Sequence, residues 1–149
     1  MRVSFDLDDT LICRPPTPSE PALPIWHRWR HPEPLRLGTV GLMLELQARD
    51  CSIWIYTTSF RSPRSIRGWL RAHGVRVQGV VNQDRHDCVV GRSGPSKYPP
   101  AFGIDLHVDD LPGVAIEGER HGFATRIVDP NDDAWTRAVL DALTNGWSG

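Results

Sequence analysis

The stretch VSFDLDDTLI, Val3 to Ile12, runs from an apolar segment straight into three aspartates packed into four positions: Asp6, Asp8 and Asp9. Like charges held this close repel one another, and a buried unpaired carboxylate is costly. Val3-Ser4-Phe5 reads as a short buried strand ending near Asp6. Something must offset the charge at that strand end, and a divalent cation is the obvious candidate. Residues i and i+2 of an extended chain point the same way, so Asp6 and Asp8 can face one substrate. Asp9 is expected to be a local cap.

Beyond this strand the chain alternates. Cys13 to Pro34 holds seven of the thirteen prolines, a density that forbids regular helix or central strand. This segment is expected to be an ordered excursion over the surface. Leu35 to Arg49 reads as a helix with Thr39 as N-cap, and Ser52 to Tyr56 as a second strand. Ser62-Pro63 opens a helix that carries Ile66, Trp69, Leu70 and His73 at helical spacing and stops at Gly74. Val75 to Val81 is a third strand, and Asn82 to Ser96 a polar loop before Lys97. Ile104 to Val108 is a fourth strand, 112–121 a helix closed by Gly122, and Phe123 to Val128 a fifth strand. Asn131-Asp132-Asp133 caps a last helix ending near Asn145-Gly146. Such alternation predicts one α/β domain over 1–149, with a Rossmann-like parallel sheet of five strands flanked by helices. Residues 13–34 form a flap within it.

In a sheet of this kind, ligands sit beyond the carboxyl ends of the strands. The first strand delivers Asp6 and Asp8, the second Thr57 and then Thr58, and the fourth Asp109 and Asp110, with Lys97 upstream near the same edge. Oxygen ligands, small hydroxyls and one amine suit Mg²⁺ plus a phosphate. Asp6 and one of Asp109 and Asp110 can hold the metal, with the Asp8 main-chain carbonyl as third ligand. A carboxylate in line with phosphorus can act as nucleophile and form an aspartyl-phosphate. Asp8 can protonate the leaving oxygen and later activate water. Thr57 and Lys97 can hold the phosphoryl oxygens, with Thr58 exchangeable for Thr57.

These segments resemble the motifs of the haloacid dehalogenase (HAD) superfamily. FDLDDTLI resembles its first motif, DxDx[TV]; IWIYTTS its second, an apolar strand ending in Thr or Ser; Lys97 is placed like the third-motif lysine; LHVDD resembles the acidic fourth motif. The order and spacing match from about Val3 to Val128. The resemblance implies a Rossmann-like sheet, Mg²⁺ dependence and an aspartyl-phosphate intermediate, with Asp6 as nucleophile and Asp8 as acid/base. The family's dehalogenases lack the second aspartate, so Asp8 favours phosphoryl transfer. Asp109-Asp110 replaces the common Gly-Asp form, which makes Asp110 the direct ligand and Asp109 an outer-shell partner. No insertion is long enough for a cap domain. The site is therefore expected to be open, serving a small or macromolecular phosphoester, with shielding by a second subunit as one arrangement.

The remaining features bound the reading. A net charge of −1 gives no general attraction to nucleic acid or membrane. The chain has no apolar run of bilayer length and no secretory leader pattern, and its three cysteines include no CxxC, so a reducing cytoplasm is expected. Within the flap, PIWHRWRH interleaves Trp26 and Trp29 with Arg28 and Arg30. That pattern either stacks on bases and pairs with phosphate, or pins an irregular loop to the sheet with its arginines solvated. His27 and His31, at i and i+4, could hold zinc only on a helix that nearby prolines limit to two turns. GRSGPS, Gly91 to Ser96, lacks the P-loop pattern and reads as a mobile loop before Lys97. Two other readings compete with a phosphatase. A receiver-like phospho-acceptor is one, although its acceptor would follow the third strand. A non-catalytic binding or regulatory protein on the same scaffold is the other.

Overall fold

The computed structural model describes residues 1–144. The expected end of the last helix at Asn145-Gly146 lies outside them. The elements in chain order are β1 (Arg2–Phe5), α1 (Ile25–Arg28), α2 (Thr39–Ala48), β2 (Ser52–Tyr56), α3 (Pro63–Ala72), β3 (Gly79–Val81) and α4 (Gln83–Val89). A 3₁₀ turn (Pro99–Phe102), β4 (Leu106–Asp109), α5 (Pro112–His121), β5 (Thr125–Ile127) and α6 (Trp135–Thr144) complete the chain. The five strands form one parallel sheet in the order β3-β2-β1-β4-β5. Helices flank it, as the alternation requires, and the fold is Rossmann-like. No helix among the described residues is long and apolar enough to cross a membrane.

Register divides the sheet's residues into two sets. Val3 pairs with Ile53 and Leu106, and Phe5 with Ile55 and Val108. These side chains enter the larger core with Leu42, Met43 and Leu46 of α2, Ile66, Trp69 and Leu70 of α3, and Trp135 and Val139 of α6. The alternate residues point the other way. Tyr56 and Val81 meet Phe102 and Ile104 in a smaller core, flanked by Trp54 and Val90. Gly79 lies directly under the Trp54 ring: a Cβ there would fall 2.2 Å from the indole, so only glycine lets the ring lie flat on β3.

Several boundaries differ from the sequence expectation, each for a local reason. Leu35 and Arg36 bridge to Ile12 and Ser19 instead of entering α2. Gly38, at φ +88°, precedes the helix, and the Thr39 hydroxyl donates back to the Arg36 carbonyl at 2.7 Å, so Thr39 is no N-cap. Arg36 is fully buried and donates to the carbonyls of Asp129 and Asp132 at 2.6 and 3.0 Å, with its guanidinium over the Trp135 ring. β3 is only three residues long, because the Gln78 side chain accepts from Ile53 N in place of a longer ladder. The expected loop after Asn82 contains α4. Asn82 caps it by accepting from Arg85 N, but the helix buries only His86 and so has no apolar stripe to betray it. Ser62 caps α3 through Ser65 N, and Gly122 closes α5 at φ +69°, both as expected.

Candidate active site

The chain leaves β1 toward β2 on one side and returns to β4 on the other. The order reverses between β1 and β4, and the crevice of such a sheet opens at the carboxyl ends of those two strands. Asp6 follows β1, Asp109 ends β4, Asp110 follows it, and Thr57 follows β2. The ladder continues one residue past two of these strands. Asp6 N donates to the Val108 carbonyl and Thr57 N to the Val81 carbonyl, both at 2.9 Å, so the main chain at both positions is fixed.

Lys97 joins them from below. Its buried ammonium donates to Asp6 Oδ1 at 2.6 Å and to the Tyr56 carbonyl at 2.7 Å, and lies 3.6 Å from Asp109 Oδ2. Burial pushes the Asp6 carboxyl up to about 6; Lys97 opposes the rise, while the charges of Asp109 and Asp110 add to it. Asp6 Oδ2 accepts no hydrogen bond among the described residues.

Asp109 faces inward with both oxygens engaged. Oδ1 accepts from Leu111 N at 2.9 Å, and Oδ2 lies 3.0 Å from His107 Nε2. Burial would raise this carboxyl, but the His107 contact and the Lys97 charge hold it below the ordinary range. Burial drives the His107 imidazole down to about 4, so the ring is neutral. An ionised carboxylate only accepts, so Nε2 carries the ring hydrogen and Nδ1 takes the Ser4 hydroxyl at 2.8 Å. A chain of buried polar groups thus runs from Ser4 through His107, Asp109 and Lys97 to Asp6. On its far side, the Tyr56 hydroxyl contacts His86 Nδ1 at 2.5 Å and accepts from Tyr98 N at 2.8 Å.

The remaining expected residues divide. Asp110 is half-buried, and its Oδ1 accepts from the Thr10 hydroxyl at 3.1 Å; burial and then the neighbouring Asp109 charge raise its carboxyl. Thr57 is buried, with Oγ1 accepting from Ser59 N at 3.1 Å, whereas Thr58 points to solvent. Asp8 is exposed and gripped at both oxygens by Arg61, at 2.8 and 3.0 Å. The same guanidinium reaches Glu33 of the flap at 2.5 Å. Asp9 adopts φ +58° and shapes the turn, where its N–H donates to Ile12.

The donors near Asp6 are hard oxygens, the chemistry a magnesium ion takes. The upward push that Asp109 and Asp110 exert on Asp6 is the repulsion a cation would relieve. Asp109 stands beside these donors with one hydrogen-bond contact already on each of its oxygens. Among the described residues no three His, Cys, Asp or Glu side chains form a preassembled metal cluster.

Sequence reasoning missed the supporting residues. His107 and Asp109 stand at i and i+2 in an otherwise apolar strand, a period-two signal that they share a face. Arg61 gave no signal, since it lies 53 positions from Asp8 while Arg2 and Arg14 stand closer in the chain. Glu117 gave no signal: its carboxylate on α5 clamps Ser96 N and Oγ at 2.9 and 2.7 Å and so delivers Lys97. Family models, curated proteins and solved structures yield no match to this chain.

Proposed function

We propose that the chain is a Mg²⁺-dependent phosphohydrolase of the HAD type, working through an aspartyl-phosphate on Asp6. The observation that carries this reading is the convergence of Asp6, Lys97, Thr57 and Asp110 at the topological switch point. Asp6 and Asp110, with the Asp8 main-chain carbonyl, would hold the metal. When bound, the ion supplies charge neutralisation on a phosphoryl oxygen.

In the proposed reaction the free Asp6 oxygen attacks phosphorus, an O–P bond forms, and the bond to the leaving oxygen breaks. Asp8 gives that oxygen a proton. Asp8 then removes a proton from a water that attacks the aspartyl-phosphate, which releases inorganic phosphate and restores Asp6. Lys97 orients Asp6, and the Thr57 hydroxyl donates to the transferred group. Arg61 binds both oxygens of the Asp8 carboxylate, so it must loosen its hold on the oxygen that carries the proton during turnover. Glu33 already shares that guanidinium and can keep it paired.

The test is hydrolysis of an aryl phosphate with Mg²⁺ and with chelator. Wild type should turn over only with the metal. Asp6→Asn should stay folded, because Lys97 keeps the Tyr56 carbonyl and Asp109, and should lose turnover entirely. A folded wild type that neither turns over, nor binds Mg²⁺, nor traps a phosphate mimic at Asp6 would leave the non-catalytic scaffold reading.

A further inference from the structure

The flap does not use its tryptophans to grip the sheet. Trp26 on the one-turn helix α1 is 71% exposed, and Trp29, its C-cap, 93%. The pin comes instead from Trp69 of α3, whose indole N–H donates to the Glu33 carbonyl at 3.0 Å. Beside α1 lies an open groove of about 780 Å³, walled by Arg30 and His31 of the flap and by Arg64, Arg67 and Arg71 of α3, with Ser62 at its head. No acidic residue lines it. The flap approaches α3 closely at Gly68, where a Cβ would come within 3.3 Å of the His31 ring. Arg67 is tied to the carbonyls of Val77 and Gln78 at 2.9 and 3.1 Å, but Arg30, Arg64 and Arg71 form no ion pair among the described residues. The groove begins one residue after Arg61, which holds Asp8, and a small neighbouring cavity shares Arg30, His31 and Ser65 with it and takes in Glu33 and Arg61 as well.

Unpaired arginines along one face of α3, with exposed tryptophans on the flap segment just before the groove-lining Arg30, match the two needs of single-stranded nucleic acid: a cationic track for the backbone and platforms for bases. Arg64 and Arg71 are separated by about 10 Å along the helix, enough for adjacent phosphates of an extended strand. An anionic membrane would also attract Trp and Arg, but a flat surface cannot enter a groove, and a four-residue helix is too short to lie in an interface. An acidic peptide would use the arginines and leave Trp26 and Trp29 idle. We propose that α1 and the outer face of α3 form a binding track for single-stranded nucleic acid and lead a terminal phosphate of that strand to Asp6. The track stands by itself; the assignment of substrate class rests on the phosphatase reading above.

The experiment uses the whole chain and a fluorescent twenty-nucleotide oligothymidylate without terminal phosphate, titrated at several salt concentrations. Three backbone contacts predict a log–log salt slope of about −2, roughly a tenfold loss of affinity on tripling the salt. Arg64→Ala/Arg71→Ala should flatten that slope to about −0.7. Trp29→Ala should weaken binding by about tenfold with the slope unchanged. All three residues are exposed, and aryl phosphate turnover should be the same in every variant. The terminally phosphorylated strand should then be a better substrate than thymidine monophosphate, and Arg64→Ala/Arg71→Ala should erase that advantage. Absence of binding at low salt, binding indifferent to both variants, or tighter binding to an acidic phosphopeptide or anionic vesicles would overturn the track. Aryl phosphate turnover without oligonucleotide binding overturns the track alone; oligonucleotide binding without any turnover overturns the phosphatase reading alone.

Discussion

On one side of β1, Val3 and Phe5 meet only apolar side chains from α2, α3 and α6. On the other side, Ser4 meets His107, and two residues further on Asp6 meets Lys97. Both sides are equally buried, so burial alone does not distinguish them. The difference is one of replaceability. An apolar face tolerates any filling of the right volume, whereas every member of a buried polar chain depends on its neighbours to satisfy it. The apolar face holds the fold, and the polar face holds Asp6 in place.

The sharpest way to break this comparison is at Lys97. Lys97→Met leaves Asp6 and Asp109 facing each other without a cation. It should cost about 3–5 kcal/mol in urea titration at pH 7 and abolish aryl phosphate turnover. Adding Asp6→Asn to Lys97→Met should restore part of the stability and none of the turnover. A single variant as stable as wild type would mean that the polar face is as forgiving as the apolar one.

Phe5→Ala probes the opposite side. It should cost about 3–5 kcal/mol by opening a cavity, while the molecules that remain folded keep wild-type turnover, as read from activity per folded molecule along the same titration. A loss of specific activity larger than the loss of folded protein would show that the two faces are coupled.

A pH series of the metal-free protein should separate two opposing contributions. His107 titrates near 4 in the fold against 6.5 ordinarily, so its contribution is present above 6.5 and lost as pH falls toward 4. Asp6 titrates near 6 against 3.8, so its contribution is full below 3.8 and lost as pH rises through 6. Each is worth a few kcal/mol at most, at about 1.4 kcal/mol per unit. Wild-type urea midpoints should therefore change little between pH 6.5 and 4. Asp6→Asn should make them fall with acid, and His107→Gln should make them rise.

Arg61→Gln should be the mildest. Its ion pairs with Asp8 and Glu33 are partly exposed, and stability should change by no more than about 1 kcal/mol. Its signature should appear in kcat for aryl phosphate. A stability loss beyond this range would make Arg61 a structural member of the polar face instead.

How much of this was legible follows from the same contrast. Strand-end chemistry was open to reading because short apolar runs ended in Asp6, Thr57 and Asp109. β2 and the caps of α3 and α5 were legible because serine, proline and glycine have fixed conformational roles. Of the polar face only the His107–Asp109 pair carried a period-two signal; Tyr56, His86 and Glu117 satisfy partners distant in sequence and so lack a periodic signature. α4 was hidden for a related reason: the one residue it buries is His86, so it carries no apolar stripe. In the flap, prolines announced irregular backbone but left open where the tryptophans point.

The place of β1 at the centre of the sheet has a consequence for synthesis. β1 pairs on both edges, and although β2 follows it from Ser52, its other partner, β4, begins only at Leu106. Until Leu106–Asp109 has left the ribosome, β1 presents an open hydrogen-bonding edge, and Asp6 waits for a lysine 91 positions away. Open strand edges recruit other chains, so a nascent or prematurely terminated product of this sequence should be prone to aggregation and should depend on chaperones until Leu106–Asp109 closes the gap.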